Sequence, residues 1–279
     1  MDGGMNAADP ALRDALRIAA HAAADAAAPE TLARFRCGVA VDDKGGTDAR
    51  PGFDPVTEGD RAAEAAMRSA LAGLRPQDAI LGEEEGRSPG TSGLEWVLDP
   101  IDGTRGFIAG TPVWGTLVAV CPEGGRPCYG IVDQPWTGER FAGGWGEAAL
   151  RRQGVERSLR TRKVRALSEA TVLTTFPEVG TKAEGAAFAR VAERCRLTRY
   201  GLDCYAYALV ACGTADLVIE AGLARYDIAA PMALVEAAGG IVTAWDGGPA
   251  QHGGRVVAAG CRAVHDAVLE LLAGAGGPG

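Results

Sequence analysis

The chain has 279 residues, a formal net charge of −8, and 47% hydrophobic and 23% charged residues. That composition is typical of a folded protein with one large domain or two modest ones. The negative charge argues against a nucleic-acid-binding surface, because no positive excess exists to neutralise phosphates. An acidic protein that acts on a phosphorylated molecule would need cations at its site.

The spacing of the cysteines and the sequence of the N-terminus indicate the cellular compartment. The seven cysteines are scattered without Cys-x-x-Cys spacing, which favours reduced thiols over a disulfide framework. The N-terminus lacks a basic region followed by an apolar core, and no apolar run approaches membrane-spanning length. We therefore expect a cytoplasmic protein that makes no membrane contact.

The predicted elements alternate between helices and strands. In chain order, the pattern predicts a helix at 10–28, a loop at 42–53, a helix capped by Thr57 or Asp60 that runs to about Leu74, strands at 79–81, 95–98, 115–121, 129–132 and 139–142, a basic segment at 151–165, a strand at 171–175, helices at 183–195 and 204–212, a strand at 216–220, a helix at 228–237, strands at 241–244 and 256–259, and a helix at 263–273.

This alternation, without an internal repeat, predicts an α/β fold, a layered α+β sandwich. We expect an N-terminal lobe at 1–150 that supplies most of the site, a C-terminal lobe at 151–279, and a cleft between them. The basic segment is interpreted as a solvated edge between the two halves, with a phosphate-guiding rim as the alternative.

The most informative stretch is WVLDPIDGT, at 96–104. An apolar strand should end near Asp99, because Pro100 cannot donate to a ladder. The turn that follows brings the Asp99 and Asp102 carboxylates and the Ile101 carbonyl together as hard oxygen ligands, which suit Mg²⁺ or Ca²⁺. Gly103 permits close backbone approach to a bound group. The alternative is a surface turn, since Asp, Pro and Gly are all turn formers.

Acidic residues recur beside small residues at predicted strand ends and helix starts. Asp60 and Asp227 stand at helix starts and Glu83 follows a strand. Taken singly, each of these residues has a structural alternative to a functional role. The two aspartates could be helix N-caps, and Glu83 could be part of a solvated acidic loop. These acidic residues lie in four segments of the chain. The segments are DPVTEGDRAAE (54–64), GEE (82–84), WVLDPIDGTRGF (96–107) and YDIAAPMALVEAAGG (226–240).

In this order and separation, the four segments resemble the inositol-monophosphatase-like family of Mg²⁺-dependent, lithium-sensitive phosphatases. The resemblance covers the chain from about Leu12 to Leu272 and implies the fold of inositol monophosphatase and fructose bisphosphatase, with two or three Mg²⁺ ions at each site. It implies metal ligation by these groups: Glu83, Asp99, the Ile101 carbonyl, Asp102 and Asp227.

The resemblance also implies roles in catalysis and phosphate binding. Gly103 and Thr104 match the positions that receive the phosphate. Thr104, supported by Asp60, helps position and deprotonate the attacking water, and Glu83 is placed with them among the catalytic residues. Lys44 is matched to a lysine of a mobile loop that closes over the metals.

Three further segments resemble the histidinol-phosphatase branch: GIVDQP with GERF (130–141), RYGLDCYAY (199–207) and DLVIEAGL (216–223). Asp203 and Glu220 match substrate-binding positions there, and two carboxylates suit the ammonium and imidazole of L-histidinol better than a neutral inositol ring. Alone, Asp203 also reads as an N-cap and Glu220 as half of a surface ion pair.

The sequence therefore predicts hydrolysis of a small phosphorylated metabolite, L-histidinol phosphate, in histidine biosynthesis. The competing activities are those of an inositol-1-phosphate phosphatase or a 3′(2′),5′-bisphosphate nucleotide phosphatase. A non-catalytic metal-binding relative is a third alternative. Many relatives are homodimers, so a homodimer is a further expectation, although the sequence does not itself show an interface.

Overall fold

The computed structural model describes residues 9–38, 41–43 and 55–273. Most of the predicted loop at 42–53, Lys44 included, lies outside the described residues. The loop prediction is wrong at its start, because Asp42 and Asp43 belong to a short strand that pairs with residues 55–57.

The helices of the described part carry the labels α1 to α7 in chain order. They are α1 (Pro10–Leu32), α2 (Glu58–Leu74), α3 (Thr104–Ala109), α4 (Lys182–Ala192), α5 (Asp203–Ala211), α6 (Arg225–Ala237) and α7 (Arg262–Leu272). Among the described residues, no helix is both long enough and apolar enough to cross a bilayer.

The strands are labelled in the same way, and a short 3₁₀ turn at Leu167–Glu169 separates the two sheets along the chain. They are β1 (Val41–Asp43), β2 (Pro55–Thr57), β3 (Ala79–Gly82), β4 (Gly86–Ser88), β5 (Leu94–Asp102), β6 (Gly115–Pro122), β7 (Tyr129–Gln134), β8 (Glu139–Gly144), β9 (Glu147–Arg152), β10 (Val155–Ser158), β11 (Thr171–Thr174), β12 (Leu197–Tyr200), β13 (Leu217–Leu223), β14 (Ile241–Ala244) and β15 (Gly254–Ala259).

Two large sheets organise these strands. The first has eight strands in the order β10-β9-β8-β7-β6-β5-β3-β4, antiparallel except for the parallel pair β3 and β5. The second has five strands in the order β12-β11-β13-β15-β14, parallel on the β12-β11-β13 side and antiparallel on the other. The strand β1 pairs only with β2 among the described residues.

Helices cover both sheets in alternating layers. On one face of the first sheet, Leu16 of α1 and Met67 of α2 pack against Trp96 of β5. The helices α5 and α6 fill the space between the two sheets, where Val97 and Val218 share one apolar cluster with them. The helices α4 and α7 cover the far face of the second sheet. The predicted layered α/β fold is confirmed.

Several predicted boundaries differ from the observed ones. The helix predicted to end at 28 continues through Pro29 to Leu32. The predicted basic segment contains β10 and the end of β9, the edge of the first sheet, and every residue of β10 is exposed. Because β9 spans residue 150, the border of the two predicted lobes falls inside a strand, and the division into lobes stays a prediction.

The strand β5 does not end at Asp99 as predicted. It continues through Pro100 to Asp102, with an irregularity in its pairing to β6 between Asp99 and Asp102. A proline is tolerated there because the interrupted ladder requires no N–H from it. The Thr116 hydroxyl donates to the Pro100 carbonyl at 2.8 Å and fixes the irregular segment. This bulge positions the carboxylates described next.

Candidate active site

Three of the predicted metal ligands meet at the end of β5. Asp99, Asp102 and Asp227 each offer a carboxylate oxygen, and these oxygens lie within 4.8 Å of one another. The first two flank the bulge of β5, whereas Asp227 lies in the first turn of α6, far away in the sequence. The structure therefore brings together acidic residues that are far apart in the sequence and that no local sequence pattern connects.

Backbone amides hold these carboxylates in place. The Ile101 N–H donates to Asp99 Oδ1 at 3.1 Å. The Cys204 N–H, in the first turn of α5, donates to Asp102 Oδ2 at 2.6 Å, and the Ala224 N–H donates to Asp227 Oδ2 at 2.6 Å. Hydrogen bonds to charged groups are strong and directional, so the oxygens are fixed before any ligand arrives.

The cluster is buried and carries excess negative charge. Burial raises the pKa of Asp99 well above its usual range, and the neighbouring carboxylates, Glu83 foremost, raise it further. Burial together with the charges of Asp203 and Asp227 raises the pKa of Asp102 to about 8. Hard, crowded and mutually repelling oxygens are the donor set that Mg²⁺ and Ca²⁺ prefer. The residues therefore fit a divalent cation.

Glu83 borders this cluster, as predicted. It directly follows β3, and its N–H donates to the Leu98 carbonyl at 3.2 Å, which extends the pairing of β3 with β5. The charge of its carboxylate is one of the causes that raise the pKa of Asp99. A fourth carboxylate is thus available beside the three described above.

Gly103 and Thr104 form the entry to α3. Gly103 has a φ of +85°, and a Cβ there would lie 3.1 Å from both Cβ and Cγ of Asp203, so both its conformation and its contact favour glycine. The Thr104 hydroxyl donates to the Ile101 carbonyl at 3.1 Å. A helix does begin at Thr104, which places backbone N–H groups beside the carboxylates.

Asp60 lies at the start of α2, where the N-cap is Thr57. The Asp60 carboxylate accepts the Thr57 N–H at 2.8 Å and the Thr57 hydroxyl at 2.5 Å, and the residue is only 1% exposed. Of the two capping candidates, the cap is therefore Thr57, and Asp60 completes a capping box. Asp227 has the equivalent position in α6. For Asp227, the capping role and a place in the acidic cluster coexist, whereas the site role of Asp60 stays a prediction.

Glu220 is buried near the cluster, and Asp203 is half-buried there. Asp203 is the first residue of α5 with a φ of +44°, so it is not the N-cap. Burial and the charge of Glu220 raise the pKa of Asp203 to about 7, which the charge of Arg105 opposes. Glu220 accepts the Thr175 N–H at 2.7 Å and the Thr175 hydroxyl at 2.9 Å, and burial raises its pKa to about 7.

The alternative of a surface ion pair for Glu220 is wrong. The residue is 6% exposed, and among the described residues no cation forms an ion pair with it or with Asp203. The strand β13 also does not end there but continues to Leu223 after a register irregularity. Two carboxylates, one buried and one half-buried, thus lie near the cluster without an ion pair to any basic residue that the structure describes.

Sequence reasoning missed Glu64, which is fully buried on α2 beneath the turn that carries Glu83. Asp60, Glu64, Met67 and Leu71 share the buried face of this helix. The available signal was a glutamate inside an apolar stripe, since a charged residue on a buried face needs partners there.

The family match and the named relatives define the class of this protein as a phosphoric monoester hydrolase. The chain belongs to the inositol monophosphatase family, whose model matches residues 12–275. The resemblance read from the four motifs is confirmed.

Three similar proteins illustrate the relationship. A histidinol-phosphatase from Streptomyces coelicolor is 37% identical over 272 residues, covering 94% of this chain and 98% of that protein. The chloroplastic bifunctional phosphatase IMPL2 from Arabidopsis thaliana is 40% identical over 231 residues, covering 79% of this chain and 66% of that protein. The structure of an inositol monophosphatase from Zymomonas mobilis has a TM-score of 0.81 at 38% identity, covering 95% of this chain and 99% of that one. Relatives with different substrates are therefore comparably similar.

Proposed function

We propose that this protein hydrolyses L-histidinol phosphate to L-histidinol and phosphate, with Mg²⁺ as its cofactor, in cytoplasmic histidine biosynthesis. The observation that carries the proposal is the pair Asp203 and Glu220. Glu220 is buried and Asp203 is half-buried beside the acidic cluster, and both have a pKa raised to about 7. A cationic substrate group would relieve the repulsion between them.

The chemistry of the pair discriminates between substrates. L-histidinol carries an ammonium and an imidazole, which can accept negative neighbours as partners, whereas an inositol ring is neutral. A cationic group that forms hydrogen bonds with carboxylates at this place gains more binding free energy than a neutral hydroxyl would. The similarity to a histidinol-phosphatase over nearly the full length supports the same substrate.

The acidic cluster would hold the metal. In the proposed site, Asp99, Asp102, Asp227, Glu83 and the Ile101 carbonyl are its ligands. When bound, Mg²⁺ lowers the pKa of the attacking water and neutralises negative charge on the phosphoryl oxygens.

The remaining residues bind and orient. The Gly103 backbone and the Thr104 N–H and hydroxyl receive the phosphate at the start of α3. The Thr104 hydroxyl, which donates to the Ile101 carbonyl at 3.1 Å, would orient the attacking water. It would take the proton of that water and pass its own proton to the Asp60 carboxylate, which would be the base. Asp203 and Glu220 bind the alcohol part of the substrate.

The test is phosphate release from a panel of three monoesters, each with and without Mg²⁺. The panel contains L-histidinol phosphate, inositol 1-phosphate and adenosine 3′,5′-bisphosphate. We expect histidinol phosphate to have the highest kcat/KM and every rate to depend on Mg²⁺. A kcat/KM for histidinol phosphate about tenfold or more below either rival, a difference of about 1.4 kcal/mol in transition-state binding, would contradict the substrate assignment.

The second candidate is an inositol-1-phosphate phosphatase on the same scaffold. It is favoured by the similarity to the Zymomonas mobilis inositol monophosphatase, at an identity equal to that of the histidinol-phosphatase within one per cent. The same panel decides between them, because the two reactions share the metal cluster and differ in the groups that contact the alcohol.

A further inference from the structure

Glu64, which is buried, and Arg68, which is half-buried, form an ion pair beneath the turn that carries Glu83. Glu64 is 0% exposed, and Arg68 lies one helical turn further along α2. We propose that this pair positions Glu83: it fixes the turn after β3 so that the Glu83 carboxylate stays beside Asp99, where a divalent cation would bind. Neither residue touches the metal cluster itself, so both act through the turn.

The pair binds both kinds of backbone group in the turn. Glu64 Oε2 accepts the Glu84 N–H at 2.7 Å, and Glu64 Oε1 accepts the Glu85 N–H at 3.0 Å. Arg68 Nε donates to Glu64 Oε1 at 2.8 Å, and Arg68 Nη2 donates to the Gly86 carbonyl at 2.6 Å. The Glu64 carboxylate thus accepts hydrogen bonds from the two amides that follow Glu83, and the Arg68 guanidinium donates to the carbonyl of the next residue.

The residue before Glu83 is fixed by the same carboxylate. A Cβ on Gly82 would overlap the Glu64 carboxyl group, so the chain passes directly over it only because position 82 is glycine. The Glu83 N–H itself donates to the Leu98 carbonyl at 3.2 Å. Glu83 is therefore held on both sides, and its backbone cannot shift without breaking charge-assisted hydrogen bonds.

Such a clamp is needed because Glu83 lies where its own charge is unfavourable. Its carboxylate faces that of Asp99, and the two repel one another. A turn held only by water could rotate Glu83 away into solvent. Residues that hydrogen-bond to a metal ligand raise the affinity for the metal because they keep the ligand correctly oriented. Their loss typically lowers metal affinity or activity about 10–100-fold.

The test is Mg²⁺ binding to the full chain by calorimetry without substrate. Glu64→Gln keeps the size of the side chain but replaces one acceptor by a donor that faces backbone N–H groups. Arg68→Met, which leaves the Glu64 carboxylate in place and removes the Gly86 contact, is the second variant. We expect Mg²⁺ affinity to fall about 10–100-fold in Glu64→Gln and by a smaller factor in Arg68→Met, with thermal melting to show that each variant is folded.

The matched control is Asp78→Asn at the opposite end of β3. Asp78 is also buried, accepts Arg75 Nε at 2.7 Å, and receives the Trp96 Nε1–H at 2.9 Å. Its loss breaks the same kind of ion pair beside the same strand but does not touch the Glu83 turn. We expect it to lower the melting temperature and leave Mg²⁺ affinity within about twofold of the wild type.

The outcomes separate the claims. Unchanged Mg²⁺ affinity in folded Glu64→Gln, or an equal loss in Asp78→Asn, would overturn the positioning role. A wild-type protein that binds no Mg²⁺ would instead contradict the metal site of the proposed function. The positioning role rests on that metal site and is independent of the substrate, so a failed substrate panel leaves it standing.

Discussion

Glu220→Gln should stabilise the metal-free protein at neutral and alkaline pH. Glu220 is buried and accepts two hydrogen bonds from Thr175, at 2.7 and 2.9 Å, but no cation among the described residues pairs with it. A glutamine carbonyl at the same place can still accept both hydrogen bonds. The substitution therefore removes an uncompensated buried charge and little else.

The magnitude follows from the pKa. Burial raises the pKa of Glu220 from 4.5 to about 7, and each pKa unit corresponds to about 1.4 kcal/mol. A carboxyl whose folded pKa is raised destabilises the fold as pH rises from its unfolded to its folded pKa. The free energy of unfolding of Glu220→Gln should thus exceed that of the wild type by less than about 1 kcal/mol near pH 5 and by about 3 kcal/mol near pH 8.

The assay is thermal melting in EDTA at these two pH values. For a chain of this size, the expected gain near pH 8 is about 6 °C, shrinking to about 1–2 °C near pH 5. The matched control is Asp216→Asn, because the buried Asp216 is paired with Arg162 at 2.5 Å and should lose stability instead. A Glu220→Gln variant that melts at or below the wild-type temperature near pH 8 would refute the reasoning.

Three further predictions concern the site. Asp102→Asn should lower kcat by several orders of magnitude while circular dichroism shows an intact fold, because one cation ligand loses its charge; near-normal turnover would instead favour a non-catalytic binding protein. EDTA should abolish phosphate release and lower the melting temperature of the wild type, since the clustered carboxylates then repel one another without a cation; unchanged turnover after chelation would defeat this expectation. Gly103→Ala should reduce kcat at least about tenfold, because a residue held at a φ of +85° and 3.1 Å from Asp203 must move the phosphate-binding turn; wild-type kcat in this variant would show that the turn tolerates a side chain.

The local structure of the site could be predicted from short sequence patterns. The strand that leads to Asp99 and the turn residues around Pro100 follow from residue types with strong positional preferences. What the patterns could not supply was that Asp227 meets them, because no local rule connects β5 to α6. That contact was predicted only through the family resemblance.

The misses share one physical cause, which is that tertiary contacts override local signals. Pro29 stays inside α1, although proline usually marks a helix boundary. The exposed β10, which lies within the basic segment, is a strand because it pairs with β9 at the edge of the sheet, and nothing in its own apolar pattern shows this. The apolar stripe of α2 signals that Glu64 is buried, but its partners, the backbone amides of a distant turn, cannot be inferred from that stripe.

The central claim is that carboxylates from three distant segments share a divalent cation that acts on a phosphate ester. The most direct measurement is an anomalous difference map from a crystal soaked in Mn²⁺, which replaces Mg²⁺ at oxygen-rich sites, together with inorganic phosphate. We predict anomalous peaks bounded by Asp99, Asp102 and Asp227, with phosphate density next to Gly103. A map without a peak between those three residues, at saturating Mn²⁺, would contradict the account.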